Sequence, residues 1–207
     1  MQPVRLWFSR HGETTQPQGW FGRTEVPLSD LGRHQAEALA AYLEPAPIDA
    51  ILSSPRKRAL DTAAPLARQR AMKLDVRKEW AEMDFGTWEG KTWQQIEAED
   101  PAFAAQWLKE TATTPCPDGE SANEFEQRIH AAFERMLLEF AGRSVFLSGH
   151  AGVVRALLGH ALGLDYMDCF RFAVDFGSLH AAAWGEGGGQ VALVNFVPGP
   201  RSTVRTD

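Results

Sequence analysis

Thiols are nearly absent from the 207 residues: Cys116 and Cys169 are the only two cysteines, with no CxxC and no metal-ligand spacing. That excludes a disulfide framework and points to a reducing compartment. Positive charge is also short, with 21 Lys and Arg against 27 Asp and Glu and a net charge of -6. A general affinity for nucleic acid or acidic membrane is thereby excluded, and any anion site has to be a local positive pocket. No apolar run approaches membrane-spanning length, and the amino terminus lacks the apolar core of a signal peptide, so a cytoplasmic location is expected. Internal repeats are missing, as is any low-complexity tract beyond Gly185-Glu186-Gly187-Gly188-Gly189. What is present is a 44% hydrophobic content, enough for a substantial core in a single domain over 1–207.

Hydrophobic periodicity orders the chain. Residues 4–9 read as a first, buried strand. Ser29 is placed to cap a helix with Ala36, Leu39, Ala40 and Leu43 on one face, which Pro45-Ala46-Pro47 stops. A strand over 48–53 leads through Ser54-Pro55 into a helix carrying Arg58, Thr62 and Leu66, and 73–77 reads as a short strand. Residues 92–110 are helical but interrupted by Pro101, and 111–119 form a loop rich in Pro and Thr. A long amphipathic helix starts near Ser121, followed by a strand over 144–148, a helix over 153–162 and closing strands over 180–184 and 191–197. This alternation predicts an α/β fold, a three-layer α/β/α arrangement with a mostly parallel central sheet. Residues 83–120 are expected to form a helical lid insertion, and the tail 198–207 to fray.

In such a sheet, ligands bind beyond the carboxyl ends of the strands. Arg10 and His11 follow the first strand, Arg58 lies just past the second, and His150 follows the strand that ends at Ser148. Four nitrogen-rich side chains at one sheet edge make an anion pocket whose natural occupant is phosphate. Cleaving a phosphomonoester needs a nucleophile, neutralisation of the phosphoryl group and a proton for the departing alkoxide. His11 serves as nucleophile if one ring nitrogen is unprotonated and the other donates to a fixed acceptor. Arg10, Arg58 and a protonated His150 oppose the two negative charges, the planar guanidinium fork being suited to phosphoryl oxygens. For the proton donor, the aromatic-rich stretch 80–90 offers Glu82, Asp84 and Glu89, and spacing alone does not choose among them.

These motifs in order, Arg-His-Gly-Glu-Thr at 10–14, Pro27-Leu28-Ser29 with Gly32, SSPRKRALDTA at 53–63, EMDFGTWEG at 82–90, DGES at 118–121 and SGHAGVVR at 148–155, resemble the histidine phosphatase superfamily, phosphoglycerate-mutase-like branch. The resemblance implies a phosphohistidine on His11, phosphate binding by Arg10, Arg58 and His150 with Ala151 beside them, and Glu82 as acid and base. Asp84 and Glu89 are then structural members of their turn. It also implies no metal and no organic cofactor, and a small-molecule phosphomonoester as the partner. Pro17 stands where many members have asparagine and removes both a side-chain amide and a backbone N–H. Thr14, Gly22 and Thr24 are the substitutes expected to contact phosphate. His34, His130, His160 and His180 match no motif and read as surface or packing residues.

Met83-Asp84-Phe85-Gly86 after the acidic residue is similar to α-ribazole phosphatases and broad-range phosphatases rather than to phosphoglycerate mutases, which carry Arg-His-Tyr-Gly there. Hydrolysis is therefore expected, with α-ribazole-5′-phosphate of cobalamin nucleotide-loop assembly as the substrate of closest resemblance. Cofactor-dependent phosphoglycerate mutase, a broad-range sugar or metabolite phosphatase, and a non-catalytic phosphate-binding regulatory module are the alternatives. Trp20, Phe21, Trp88 and Trp107 are candidates to stack on a benzimidazole or to pack beneath the lid. A metal hydrolase would want clustered ligands such as HxxxH, which the chain lacks.

Overall fold

A strand covered on both faces has to be apolar at consecutive positions, and Val145, Phe146 and Leu147 meet that requirement in the strand 144–149, which is buried throughout. In the computed structural model, which describes residues 2–204, this strand lies inside a six-stranded sheet. The strands are β1 (Val4–Arg10), β2 (Ala50–Ser53), β3 (Leu74–Val76), β4 (Ser144–Gly149), β5 (Leu179–Gly185) and β6 (Gly188–Phe196). Their order is β3-β2-β4-β1-β5-β6, with β3, β2, β4 and β1 parallel and β5 and β6 antiparallel at one side. The sheet is mixed and mostly parallel, as the strand–helix alternation predicts.

Helices cover both faces. On one, α1 (Asp30–Leu43) and α2 (Lys57–Arg70) enclose Ile51, Phe146 and Leu179 with Leu39, Leu43, Ala63 and Leu66. On the other, α5 (Ala122–Glu139) and α6 (Ala151–Leu162) pack Phe125, Ile129, Phe133, Met136 and Leu157 onto Val4, Leu6, Phe8, Val145 and Leu147. Between α2 and α5 run two short helices, α3 (Trp93–Glu99) and α4 (Pro101–Lys109). Val145 and Leu147 belong to one core and Phe146 to the other, the period-2 alternation of a pleated strand.

Local signals set the boundaries. The Ser29 side chain accepts from the Gly32 amide at the start of α1, and Ser121 and Glu124 form a reciprocal capping box at the start of α5. Asp100 ends α3 and caps α4, whose first residue is Pro101, where a missing N–H costs nothing. Residues 83–120 contain α3, α4 and a 3-10 turn over Gly86–Trp88, and Trp88, Ile96, Ala104, Trp107 and Cys116 join the larger core. Within the tail 198–207, expected to fray, three residues have partners in the body of the chain. The carbonyl of Pro200 accepts from Gln35 (3.0 Å), Arg201 pairs with Asp175 (3.0 Å), and the Ser202 hydroxyl donates to the Glu13 carboxylate. Residues 205–207 lie outside the described residues.

Phe146 is fully buried between the helices and the sheet. Phe146→Ala is expected to lower the unfolding free energy by about 3–5 kcal/mol, read from urea denaturation, and a loss well below 1 kcal/mol would contradict its place in the core.

Candidate active site

The parallel register brings Arg10 level with Gly149, and Ser53 level with Ser148. The next residues leave the sheet together: the His11 amide donates to Gly149 O and the Ser54 amide to Ser148 O, both at 3.0 Å. His11, Ser54 and His150 thus emerge at one edge, and each chain then turns toward a helix.

After β1 the chain presses on the first turn of α1. A Cβ on Gly12 would stand 2.4 Å from Gly32 O, and one on Gly32 only 2.0 Å from Glu13 O, so both positions require glycine for close approach. The Gly12 amide donates to Thr62 Oγ1 (3.0 Å), and Ser29 Oγ donates to Glu13 (2.9 Å). Within this loop His11 Nδ1 lies 2.8 Å from Gly12 O. A carbonyl only accepts, so the proton sits on Nδ1. Burial, then Arg58 and Arg10, push His11 well below the usual histidine range, leaving Nε2 with a free lone pair at neutral pH.

His150 caps α6, places Nε2 2.7 Å from Ser54 Oγ, and sets its ring nearly perpendicular to that of His11, with centroids 5.2 Å apart. Burial, then Arg58, push it too well below the ordinary value. The cationic His150 expected from the sequence is therefore disfavoured by its own surroundings, as a charged His11 is by the same arginines.

Arg10 donates Nη1 to Val174 O (2.7 Å) and lies 3.6 Å over the Phe176 ring. Burial, then Arg155, lower it to about 9, still cationic at neutral pH. Arg58, 1% exposed, donates to Phe21 O (2.6 Å), Gly22 O (3.0 Å) and Thr24 O (2.9 Å). Its Nε has no partner among the described residues. The opposite side of that loop is taken by Glu89, whose carboxylate accepts from the amides of Gly22 (2.9 Å), Arg23 (2.8 Å) and Thr24 (3.0 Å). Gly22 and Thr24, expected to contact phosphate, thus have both their amides and their carbonyls engaged in holding the loop. Thr14 and Ala151 do line the cavity.

Glu82 is buried at the start of α6, its Oε2 accepting from Gly152 N (2.9 Å) and its Oε1 from Met83 N (3.0 Å). A Cβ on Gly152 would stand 2.3 Å from Glu82 Oε1. Asp84 instead accepts from the Gly86 amide (3.0 Å) and pairs with Arg23 (3.3 Å), holding its own turn.

These groups surround a cavity of about 890 Å³. Its lining includes the polar groups of Arg10, His11, Arg58, Glu82, Arg155 and Tyr166 and the aromatic rings of Trp20, Phe21, Phe85, Trp93 and Trp107. His150 stands behind His11. Of the aromatic candidates Trp88 is the exception, packed beneath the lining rings against Trp107 (5.1 Å) and Trp20 (6.0 Å). Sequence reading missed Arg155, Tyr166 and Phe176. Arg155 had a signal, being four residues after Ala151 and so on the same face of α6. Its Nε has no partner among the described residues, and its guanidinium lies 4.8 Å over Phe170.

The sequence profile of the "Histidine phosphatase superfamily (branch 1)" matches residues 6–197. A protein of Mycobacterium tuberculosis named as bifunctional is 34% identical over 197 residues, covering 93% of this chain and 54% of its own length, so the chain spans about half of that relative. The adenosylcobalamin/α-ribazole phosphatase of Salmonella typhimurium is 28% identical, with 93% of this chain and 96% of the relative covered. The crystal structure of the α-ribazole phosphatase from Shigella flexneri superposes with a TM-score of 0.87 at 26% identity, covering 93% of this chain and 96% of that one.

His11, His150 and His180, the last lowered to about 3 by burial, have folded-state pKa values below the unfolded value near 6.5. Below that pH the unfolded chain binds protons that the folded chain refuses. The unfolding free energy should therefore fall as pH drops from 7 toward 5, by up to about 1.4 kcal/mol per pH unit for each histidine. Urea midpoints across that range measure it, and ¹⁵N-histidine spectra of the phosphate-free protein should show His11 neutral with its proton on Nδ1 at pH 6. A cationic His11 there would contradict the geometry.

Proposed function

The chain belongs to the histidine phosphatase superfamily, branch 1, and from that premise we propose that it hydrolyses phosphomonoesters through a phosphohistidine on His11. The observation that carries this reading is the 2.8 Å hydrogen bond from Nδ1 to Gly12 O, which leaves Nε2 as the nucleophilic atom beside Arg10 and Arg58.

In the first step Nε2 forms a bond to phosphorus as the ester P–O bond breaks. Arg10 and Arg58 stabilise the charge on the transferring group, and protonated Glu82 gives its proton to the leaving oxygen. In the second, water attacks phosphorus, the Glu82 carboxylate takes its proton, and the N–P bond breaks to return His11 and release phosphate. His150 takes part through its hydrogen bond of 2.7 Å between Nε2 and Ser54 Oγ, which fixes the ring beside His11, while its Nδ1 has no partner among the described residues. The two amides on Glu82 hold the carboxyl at the mouth of α6 in both steps.

The substrate proposed is a phosphomonoester with a large flat group, α-ribazole-5′-phosphate being the representative. Support comes from a cavity far larger than phosphate whose lining includes Trp20, Phe21, Phe85, Trp93 and Trp107, and from likeness to α-ribazole phosphatases. Indole faces stack on heteroaromatic rings without demanding a particular hydrogen-bond pattern.

His11→Ala should abolish turnover of p-nitrophenyl phosphate, and labelled substrate should leave an acid-labile, alkali-stable phosphoryl group on the wild type alone. Retained turnover, or label elsewhere, would remove His11 as nucleophile. Glu82→Gln should slow alkyl phosphates far more than aryl phosphates, whose leaving groups need no proton; equal losses would argue against Glu82 as acid. Across a panel, kcat/KM should favour α-ribazole-5′-phosphate over phosphoglycerates. Trp93→Ala, at a half-buried position of the lining, should lower the former about tenfold and leave the latter unchanged, whereas equal effects would refute stacking.

A further inference from the structure

Helices α5 and α6 carry, at the surface, a group of side chains that the phosphoryl chemistry does not use. His130 and Glu134 are four residues apart on α5 and share one face of that helix. His160 comes from the last turn of α6. Packing of the two helices brings one ligand atom from each of the three residues within 4.8 Å of the others. His130 Nδ1 is 3.1 Å from His160 Nδ1, and Glu134 Oε1 is 3.4 Å from His160 Nε2. The His160 ring is held edge-on to Phe133, with centroids 4.6 Å apart.

Metal–nitrogen bonds of about 2.0–2.1 Å in a tetrahedral site put two imidazole nitrogens about 3.4 Å apart. The Nδ1 pair already stands close to that spacing, and Glu134, which faces the other nitrogen of the His160 ring, keeps a carboxylate oxygen close enough to turn toward an ion held between the two rings. Two imidazoles and one carboxylate suit Zn²⁺, Co²⁺, Ni²⁺ or Cu²⁺ and fit poorly with Mg²⁺ or Ca²⁺, which prefer all-oxygen shells. His130 and His160 also form part of the wall of a hollow of about 280 Å³, together with Glu126, Phe133, Leu157 and Leu164. An ion here would keep its remaining positions open to water.

We propose that His130, Glu134 and His160 form a site for a borderline divalent ion, represented by Zn²⁺, that fastens α5 to α6. It replaces the reading of His130 and His160 as plain surface or packing residues. The ion stands apart from the chemistry: His160 lies ten residues beyond His150 on α6, about 15 Å along its axis at 1.5 Å per residue. A pattern such as HxxxH misses the group because one helix supplies His-x-x-x-Glu and another the second histidine.

The test uses the full chain, free of any polyhistidine tag and stripped with chelator. Titrated with Co²⁺ and Zn²⁺, it should bind one ion per chain at this site, show visible Co²⁺ bands of a low-coordinate site, and melt at higher temperature with Zn²⁺. His130→Ala and Glu134→Ala, both changes at exposed positions, should weaken binding at least tenfold and abolish the thermal shift while leaving p-nitrophenyl phosphate turnover as in wild type. His11→Ala should bind the ion as wild type does. Absence of binding to wild type would overturn the proposal, as would binding that survives His130→Ala. Loss of binding in His11→Ala would instead put the ion in the catalytic cavity and overturn it equally.

Discussion

The hydrogen bond from His11 Nδ1 to the carbonyl of Gly12 decides which ring nitrogen is bare, and the surrounding structure serves to aim that carbonyl. Its direction depends on the loop lying flat against α1, which Gly12 and Gly32 permit because neither carries a Cβ. Thr62 fixes the Gly12 amide, and the Glu13 carboxylate next to it gathers hydroxyl groups from Ser29 and from Ser202 near the other end of the chain. Elements far apart in sequence thereby restrain one peptide group. A ring held in this way needs no base to bare its Nε2, because burial and two arginines disfavour its charged form.

Positive charge is concentrated at this point in a protein of net charge -6. Arg10, Arg58 and Arg155 line the cavity, and Glu82 is the sole carboxylate among the described lining residues. Burying guanidinium groups is costly. Backbone carbonyls compensate part of it, three of them for Arg58 and Val174 O for Arg10. Carbonyls satisfy N–H groups without cancelling charge, so the pocket keeps a positive potential, and the same potential lowers both imidazoles. A dianionic phosphoryl group, the occupant proposed above, has the charge to balance it.

Signals that act over a few residues were legible. The helix starts at Ser29 and Ser121 followed from capping, and the break at Pro101 from its missing N–H. The placement of His11 and His150 followed from the ends of their strands. Long-range valences were not legible. That Glu89 occupies the amides of Gly22, Arg23 and Thr24 across 65 to 67 residues leaves no mark in the sequence of either segment. The same holds for Trp88, which shares its composition with the lining tryptophans yet packs beneath them. The tail reads as polar and unpatterned because hydrogen bonds, not apolar area, hold it down.

By itself the sequence determined the strand and helix succession, the sheet edge at which imidazole and guanidinium groups gather, and the phosphate chemistry those groups suit. Each of these rests on periodicity, capping or residue type, which are local properties. Only the tertiary structure decided which donors remain available to a ligand, the burial that disfavours a charged His150, the place of Arg155 in the cavity lining, and the meeting of His130, Glu134 and His160. Those outcomes depend on how many hydrogen bonds each group has already made and how much water it has lost, and both quantities exist only once distant segments have packed together.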